Sequence, residues 1–274
     1  MNNMRELYTN LVERIRSMKS VCVAFSGGVD STLLLHAAHD ALGSSADAVT
    51  VRGMMIPDKE ISCSIDYAKS NDISLSVINI DFSACPEFIR NDRMRCYHCK
   101  KLIFNAILDH ARSRNICHVI EGSHTADISD YRPGMKALKE LGISSPFIDT
   151  GMNKKDIIEI SRTMNLHGYD RPSSSCMATR IEYGTSLDAD LLQRIHAAEE
   201  KLKSSGVRQV RIRAHGNIAR IEVEPGSVAQ LAGDAAREQV ITAVKSAGFE
   251  YVTLDLEGYR QGSMNTGIKE SADE

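Results

Sequence analysis

A short apolar segment that leads directly into a glycine-rich loop constrains the fold of this chain more than any other feature. Residues 20–25 read SVCVAF and residues 26–31 read SGGVDS, after which apolar residues recur at helical spacing to about residue 41. A continuous apolar run of this length is typical of a buried parallel strand. A strand, tight loop and helix in this order predict a parallel α/β sheet, in which ligands bind beyond the carboxyl ends of the strands.

The same alternation of strand and helix continues along the chain. Further strands are predicted at 48–51, 75–80, 116–121 and 146–149, and further helices at 4–18, 57–70, 96–113 and 153–164.

The pattern changes beyond residue 183. A helix at 187–204 and a helix at 235–247 enclose alternating strands at 207–213 and 218–223, and a last strand is predicted at 251–256. We therefore predict an α/β fold with two parts, a parallel-sheet domain over 1–182 and a smaller α+β domain over 183–262. The polar residues 263–274 are expected to form a disordered tail.

Composition narrows the classes of function. The chain has 274 residues and a net charge of −3, so bulk electrostatic attraction to nucleic acid or to a membrane is not indicated. No apolar run approaches the roughly 20 residues that span a bilayer, and the first residues lack a signal-peptide core. We expect a cytoplasmic protein, in which the seven cysteines are buried, catalytic or metal-bound rather than paired in disulfides.

The glycine loop has the chemistry of an anion site. Gly27 and Gly28 let backbone amides face a ligand, and the following helix adds unpaired N–H groups and a partial positive charge, which suits phosphate. Ser26 and Ser31 offer hydroxyl groups, while Asp30 is expected either to hold Mg²⁺ or to cap the helix. No Gly-Lys-Ser/Thr follows, which excludes a Walker P-loop. A plain tight turn before a capped helix is the alternative.

Three cysteines stand out from the other four. Cys96 and Cys99 form a C-x-x-C at a predicted helix start beside lysines, a setting that favours thiolates, and Cys176 lies in a loop of small residues. Three thiolates leave one coordination position open, which suits a catalytic iron–sulfur cluster, whereas the C-x-x-C alone is also compatible with a redox pair. Cys22, Cys63 and Cys117 are expected to be small buried hydrophobic residues.

The string Ser-Gly-Gly-x-Asp-Ser after an apolar strand resembles the PP-loop of the ATP pyrophosphatase superfamily. The resemblance implies that the domain over 1–182 is a PP-loop domain of the adenine nucleotide alpha hydrolase-like type. The resemblance becomes closer with DRMRCYHCKK at 92–101, DISDYRPGMKALKELG at 127–142 and CMATRIEYG at 176–184. Over residues 5–260 the chain is similar to the LarE family of ATP-dependent sulfur transferases, which act in the synthesis of a nickel-pincer nucleotide cofactor.

The resemblance implies that a carboxylate of a pyridinium mononucleotide attacks the α-phosphate of ATP, releasing pyrophosphate, and that a sulfur nucleophile then displaces AMP. It implies ATP and Mg²⁺ as ligands, with nucleotide contacts from Ala24, Phe25, Ser26, Gly27, Gly28, Val29, Asp30, Ser31, Val51, Gly53 and Gly122. It also implies a homo-oligomer, a hexamer of the family type.

In the family, the sulfur comes either from the cysteine at the position of Cys176, which ends as dehydroalanine, or through a [4Fe-4S] cluster on three cysteines. Because Cys96, Cys99 and Cys176 are all present, we favour the cluster. Lys100 and Arg180 are expected to neutralise charge on the α-phosphate, unless they are solvated surface cations.

Arg211 and Arg213 alternate on one predicted strand, so both side chains lie on one face of it. The resemblance points to a site there for the phosphate of the substrate, and an outer strand face that is merely charged is the alternative.

Other acceptors and functions stay open. A tRNA thiolase would need a basic RNA surface, which the net charge does not suggest, and an amide-forming synthetase would need an ammonia source. A sensor that binds ATP or a cluster without turnover belongs to a different class.

Overall fold

A computed structural model describes residues 2–127, 133–170, 175–204 and 206–260. The chain forms two compact units. The first contains the described residues up to Phe88 and from Arg93 to residue 170, and the second contains Ile89–Asp92 and the described residues from Ser175 onward. The boundary predicted at 182/183 falls inside the second unit, and the tail predicted at 263–274 lies outside the described residues.

The first unit alternates strands and helices as the sequence predicts. Its strands are β1 (Val21–Ala24), β2 (Ala46–Arg52), β3 (Leu75–Asn79) and β4 (His118–Ile120). Its helices are α1 (Asn2–Arg16), α2 (Val29–Leu42), α3 (Asp58–Ser70), α4 (Pro86–Ile89, whose last residue belongs to the second unit), α5 (Arg95–Ser113), α6 (Pro133–Glu140), α7 (Pro146–Asp149) and α8 (Lys154–Thr163).

The four strands form one parallel sheet in the order β3-β2-β1-β4. Val21 is aligned with Ala46 of β2 on one side and with His118 of β4 on the other. The chain runs outward from β1 to β3 and then returns to the opposite side of β1 to form β4, so the strand order reverses between β1 and β4. Ligands of open α/β sheets bind at such a switch point.

The core of this unit lies where α1, α2 and α8 pack together. Leu11 and Ile15 of α1, Leu33 and Leu34 of α2, and Ile157 of α8 are all fully buried. Their packing fixes the start of α2, and with it the loop that follows β1.

The strand predicted at 146–149 is wrong, since these residues form helix α7. Pro146 is the first residue of that helix, a position that suits proline because its nitrogen has no hydrogen to donate. The extended contact with the sheet lies earlier, where the Ser144 amide donates to the Val119 carbonyl and the Glu121 amide donates to the Ser144 carbonyl.

The second unit has a three-stranded sheet in the order β5-β6-β7, with β5 antiparallel to β6 and β6 parallel to β7. Its strands are β5 (Val210–His215), β6 (Ile218–Val223) and β7 (Tyr251–Leu254), and its helices are α9 (Ala189–Ser204), α10 (Val228–Ala232) and α11 (Asp234–Lys245). Gly216, in the tight turn between β5 and β6, has a φ of 59°, which favours glycine. Among the helices of the described ranges, none is long and apolar enough to cross a bilayer.

Candidate active site

The glycine loop lies at the carboxyl end of β1 and is shaped by hydrogen bonds to Ser31. Gly27 has a φ of 74°, in the region that favours glycine. The Ser26 amide donates to the Ser31 hydroxyl at 3.2 Å, and that hydroxyl donates to the Gly28 carbonyl at 3.0 Å. These bonds close the loop onto the first turn of α2, whose first N–H groups have no partner within the helix. The loop is therefore shaped to receive an anion.

A cavity of about 390 Å³ lies beside this loop at the carboxyl ends of β1, β2 and β4. Pockets for small ligands measure roughly 300–1,000 Å³, so its size suits a nucleotide. The predicted site residues that line it are Ala24, Phe25, Ser26, Asp30, Ser31, Val51, Lys100 and Gly122. The other predicted nucleotide contacts in the described chain are outside its lining, namely Gly27, Gly28, Val29 and Gly53.

Three of the predicted glycines have a structural role that the sequence did not reveal. A Cβ on Gly27 would lie 2.7 Å from the Ser64 hydroxyl oxygen, and a Cβ on Gly53 would lie 2.2 Å from the Phe82 ring. A Cβ on Gly122 would lie 3.2 Å from the Cβ of Asp30 and 3.4 Å from the Ser31 nitrogen. Gly122 thus lets the end of β4 approach the first turn of α2, whereas Gly53 makes room for a core aromatic ring.

The cavity also has an apolar part of its lining, called here the apolar wall. It consists of residues that the sequence did not single out, namely Ile56, Ile61, Ile103, Phe104 and Ile107. Near it, the Thr50 hydroxyl donates to the Phe25 carbonyl at 2.7 Å and the Phe25 amide donates to the Val49 carbonyl at 2.8 Å, which extends the pairing of β1 and β2. In the sequence these residues are ordinary apolar side chains within or beside predicted helices, and such a position does not show whether a residue lines a pocket or a core.

Lys100 reaches the cavity from α5 and lies near a buried carboxylate. Its Nζ is 3.7 Å from Oε2 of Glu121, a side chain that is 7% exposed. Glu121 also accepts hydrogen bonds from the Ser123 amide at 3.0 Å and from the Ser123 hydroxyl at 2.9 Å. Since Glu121 also accepts hydrogen bonds from these neutral groups, the ammonium of Lys100 is not the only group that stabilises its carboxylate. Sequence reasoning did not find Glu121.

Asp30 forms an ion pair that neither sequence expectation anticipated. Nζ of Lys154 lies 2.6 Å from both carboxylate oxygens of Asp30. The N-cap of α2 is Gly28, so the carboxylate is directed to Lys154 rather than to the helix end. Lys154 is the first residue of α8, and it escaped sequence analysis because its partner lies far away in the chain.

Cys96 and Cys99 lie in the first turns of α5, with the thiol of Cys96 exposed and that of Cys99 half-buried. Residues three apart are neighbours on a helix, so the pair shares one face. Tyr97, between them, donates to Glu140 at 2.7 Å, and this hydrogen bond raises the pKa of the phenol. The residue between the two thiols is thus tied to α6.

Cys176 belongs to the second unit and is exposed. Across the described ranges, no group of three or more His, Cys, Asp or Glu side chains is placed to hold a metal ion. Thiolates are the ligands that iron–sulfur clusters use, so the donor chemistry of Cys96 and Cys99 fits two ligand positions. The three-cysteine cluster stays a prediction.

The structure also settles where the remaining predicted cysteines lie. Cys22 is fully buried in β1, as predicted, and burial raises the pKa of its thiol to about 12. Cys63 is half-buried. The expectation for Cys117 is wrong, because this residue precedes β4 rather than lying within it and is exposed.

Arg180 is a buried cation of the second unit. Its Nε lies 2.8 Å from Oε1 of Glu199, and its Nη2 lies 3.0 Å from Oε2 of the same carboxylate. Its Nη1 donates to the Ser175 hydroxyl at 2.8 Å. Arg180 is therefore not a solvated surface cation, and its predicted role at the α-phosphate stays a prediction.

Arg211 and Arg213 are both buried on β5, so the alternative of an exposed charged strand face is wrong. Nη2 of Arg213 pairs with Glu222 at 2.8 Å. Arg211 lies with its guanidinium carbon 5.6 Å from the centre of the Tyr259 ring, and burial, together with the charge of Arg180, lowers its pKa. Placing a guanidinium group out of water costs free energy, which the ion pair with Glu222 offsets for Arg213.

Comparison with known proteins supplies relatives over almost the whole chain. No family model matches it. A pyridinium-3,5-bisthiocarboxylic acid mononucleotide synthase from Lactiplantibacillus plantarum is 32% identical over 256 residues, which cover 93% of this chain and 92% of the relative. Uncharacterized proteins from Synechocystis sp. and Methanocaldococcus jannaschii are 34% and 31% identical, each across 93% of this chain and 96% of the relative.

A parallel sheet flanked by helices, with a glycine loop and a cavity at its switch point, is consistent with a Rossmann-like PP-loop domain. The similarity to the Lactiplantibacillus synthase extends through both units of the chain. The chain belongs to the LarE family.

Proposed function

We propose that this protein is an ATP-dependent sulfur transferase that converts a carboxylate of a pyridinium mononucleotide into a thiocarboxylate. The observation that carries the proposal is the 32% identity, over 93% of the chain, to a synthase named for a pyridinium bisthiocarboxylic acid mononucleotide. The cavity at the glycine loop supports it, because the activation of a carboxylate requires a place for ATP beside a place for the acceptor.

In the first step ATP occupies the cavity. The apolar wall, which includes Ile61 and Phe104, receives the adenine, and the glycine loop with the first turn of α2 binds the phosphates. An oxygen of the substrate carboxylate attacks the α-phosphorus, and the bond from that phosphorus to the oxygen bridging to the β-phosphate breaks. The electron pair of this bond leaves with pyrophosphate, and an acyl-adenylate remains.

Lys100 and Mg²⁺ supply positive charge in this step. The ammonium of Lys100 lines the cavity and stabilises the negative charge that develops on the α-phosphate. Mg²⁺ binds oxygen ligands, and the carboxylate of Asp30 is the acidic group of the glycine loop that lines the same cavity.

In the second step a sulfur nucleophile attacks the acyl carbon, and AMP leaves with the electron pair of the broken C–O bond. We propose that sulfur is delivered through a [4Fe-4S] cluster on Cys96, Cys99 and Cys176, which when bound carries a sulfide for transfer. The alternative delivery uses Cys176 itself. Its thiolate forms a thioester, a base removes the Cα proton, and the Cβ–S bond breaks to leave the thiocarboxylate and dehydroalanine.

We assign the binding of the substrate phosphate to Arg211 and Arg213. Both side chains lie on the same face of β5, an arrangement in which two guanidinium groups can bind one phosphate together. Arg180 supports the same region through Ser175, whose hydroxyl accepts from Nη1 of Arg180 and from Nε of Arg211. The remaining proposals are a homo-oligomer of hexameric type, which follows the family resemblance, and a cytoplasmic location.

The proposal is tested by incubating anaerobically purified protein with ATP, Mg²⁺ and pyridinium-3,5-biscarboxylic acid mononucleotide. We expect pyrophosphate, AMP and a product in which sulfur replaces a carboxylate oxygen, measured by mass spectrometry. Nucleotide binding without pyrophosphate release would contradict the proposal and favour a sensor, and release only with tRNA would favour an RNA acceptor.

The source of the sulfur is tested on the same protein. Iron bound in the as-purified protein, its visible absorbance and an unchanged mass of Cys176 after turnover would support the cluster. A protein without iron after reconstitution with iron and sulfide, in which Cys176 loses the mass of hydrogen sulfide during turnover, would support the sacrificial route. Cys117→Ser is the matched control for the cysteine variants, because Cys117 is exposed and is outside the lining of the cavity.

A further inference from the structure

The ion pair between Asp30 and Lys154 links the glycine loop to a second helix of the same unit. Asp30 is the second residue of α2 and lines the cavity, and Lys154 is the first residue of α8. Both carboxylate oxygens lie 2.6 Å from the ammonium nitrogen. The ammonium is therefore bonded to a carboxylate that lines the cavity, whereas Lys154 itself is outside the lining.

Hydrogen bonds around the start of α8 hold the backbone of Lys154 in place. Asn153 caps α8 by accepting from the Lys155 amide at 2.8 Å, and the Asp156 side chain accepts from the Asn153 amide at 3.0 Å. The preceding Met152 carbonyl accepts from the amide and the hydroxyl of Thr125, each at 3.1 Å. Thr125 follows β4 closely, so the start of α8 is tied to the loop at the switch point of the sheet.

The contact between Lys154 and Asp30 is partly open to water. The side chains of Lys154 and Asp30 are 38% and 30% exposed, and pairs with this access to water contribute only about 0–1 kcal/mol. Lysine holds its charge on a flexible four-carbon stem, which lets the ammonium change partners while the helix stays in place. The pair is thus a weak contact on a rigid frame.

Electrostatics favours such an exchange when ATP binds. A carboxylate beside a polyphosphate is repulsive unless a cation neutralises it, and Mg²⁺ that arrives with ATP prefers carboxylate and phosphate oxygens. Mg²⁺ on Asp30 would leave the ammonium of Lys154 without an acid partner next to the most negative part of the ligand.

We propose that Lys154 and Mg²⁺ compete for the carboxylate of Asp30, and that the displaced ammonium binds the pyrophosphate as it leaves. The inference rests on the proposed function and assigns a catalytic residue to its first step. When the bond from the α-phosphorus to the bridging oxygen breaks, the electron pair goes to pyrophosphate. Lys154 stabilises that charge through hydrogen bonds and keeps its proton, so nothing else is consumed.

The test compares Lys154→Met with Lys155→Met, an exposed lysine in the same helical turn. Mg²⁺ is titrated at fixed ATP, and binding of ATP, pyrophosphate and AMP is measured by calorimetry together with pyrophosphate release. For Lys154→Met we expect pyrophosphate release to fall by about 100-fold, the scale of losing one charge-stabilising group in a transition state. Binding of pyrophosphate should weaken, and binding of AMP should match that of the Lys155→Met control.

Competition between Lys154 and Mg²⁺ for Asp30 predicts a second effect, which a purely structural role of Lys154 would not produce. In Lys154→Met the Mg²⁺ concentration that half-saturates ATP binding should fall, although turnover falls as well, because Asp30 has lost its competing cation. Lys154→Arg should raise that concentration, since a guanidinium binds a carboxylate at two points. This second variant also provides a result if the methionine variant does not fold.

The outcomes separate the two proposals. If the wild-type protein binds ATP but Lys154→Met behaves like Lys155→Met in both the Mg²⁺ midpoint and pyrophosphate binding, the role of Lys154 is wrong and the proposed function stands. A Mg²⁺ midpoint that rises in Lys154→Met would also overturn the competition. A wild-type protein that binds no adenine nucleotide would overturn the proposed function and the role of Lys154 together.

Discussion

Arg180 and Glu199 form a buried two-point ion pair in the second unit. The guanidinium donates from Nε at 2.8 Å and from Nη2 at 3.0 Å, and the two side chains are 3% and 1% exposed. The Ile212 amide donates to the same carboxylate at 2.8 Å. Glu199 of α9 therefore joins the short helical turn Met177–Arg180, which follows Cys176, to strand β5, which carries Arg211 and Arg213.

Removing one partner of this pair should be costly. We expect Glu199→Ala to lower the free energy of unfolding by about 3–5 kcal/mol, because it leaves a buried guanidinium without its counterion. Urea denaturation measures the effect. Glu159→Ala is the control, since Glu159 pairs with Arg162 on an exposed helix surface, and it should change stability by roughly 0.5 kcal/mol or less. Equal losses in the two variants would contradict the structural role of Glu199.

Structural features that depend only on residues close together in the chain could be predicted from the sequence. The strand, glycine loop and helix around Ser26 combine three local signals that agree, namely an apolar run, two glycines and helical periodicity. The strand prediction at 146–149 failed because Phe147 and Ile148 are apolar residues of the kind found in buried strands. Pro146, which suits the first position of a helix, is the residue that indicates the helix.

Features that depend on distant residues could not be predicted in this way. Lys154 and Glu121 carry no motif, and each gains its role only when the fold brings it to Asp30 or Lys100. The burial of Arg211 and Arg213 likewise depends on residues that are distant in the chain. An alternating strand shows that two side chains share a face, but the packing of α9 and β5 decides whether that face is covered.

Gly122→Ala should weaken nucleotide binding more than it weakens the fold. The added Cβ would lie 3.2–3.4 Å from the Cβ and carbonyl carbon of Asp30 and the nitrogen of Ser31, so the first turn of α2 must shift by a few tenths of an ångström. We expect roughly tenfold weaker ATP binding by calorimetry, which corresponds to about 1.4 kcal/mol. Gly226→Ala, which meets no atom within 4 Å, is the control. Unchanged ATP binding in Gly122→Ala would argue against phosphate contacts at this turn.

The buried thiol of Cys22 makes stability depend on alkaline pH. Burial, with a smaller effect of the Asp47 charge, raises its pKa to about 12, whereas an unfolded cysteine has a pKa of about 8.5. The unfolded state therefore loses this proton first as pH rises. The contribution of Cys22 to stability is fully present below about pH 8.5 and is lost progressively toward about pH 12.

This dependence is measured by comparing the wild-type protein with Cys22→Ala in urea between pH 7.5 and 10, a range chosen around the roughly 8.5 pKa of an unfolded thiol. We expect the difference in unfolding free energy between the two proteins to shrink as pH rises. Alkylation supplies a second measure, since native Cys22 should resist iodoacetamide at a pH where the exposed Cys117 reacts. A difference that stays constant with pH, together with rapid alkylation of Cys22, would show that this thiol is not buried.

Lys100 and Lys101 are adjacent on α5 but face different surroundings, which makes them a matched pair for testing the activation step. Lys100 lines the cavity, whereas Lys101 pairs with Glu140 at 2.8 Å. The hydrogen bond from Lys101 to Glu140 raises the pKa of Lys101. We expect Lys100→Met to lower pyrophosphate release by about 100-fold, because the charge that develops on the α-phosphate loses the lysine proposed to stabilise it. Lys101→Met should stay close to the wild-type rate.

Both variants should remain folded, since Glu121 keeps its hydrogen bonds from Ser123 when Lys100 is absent. Equal rates in the two variants, with folding verified by circular dichroism, would place the positive charge of the activation step elsewhere.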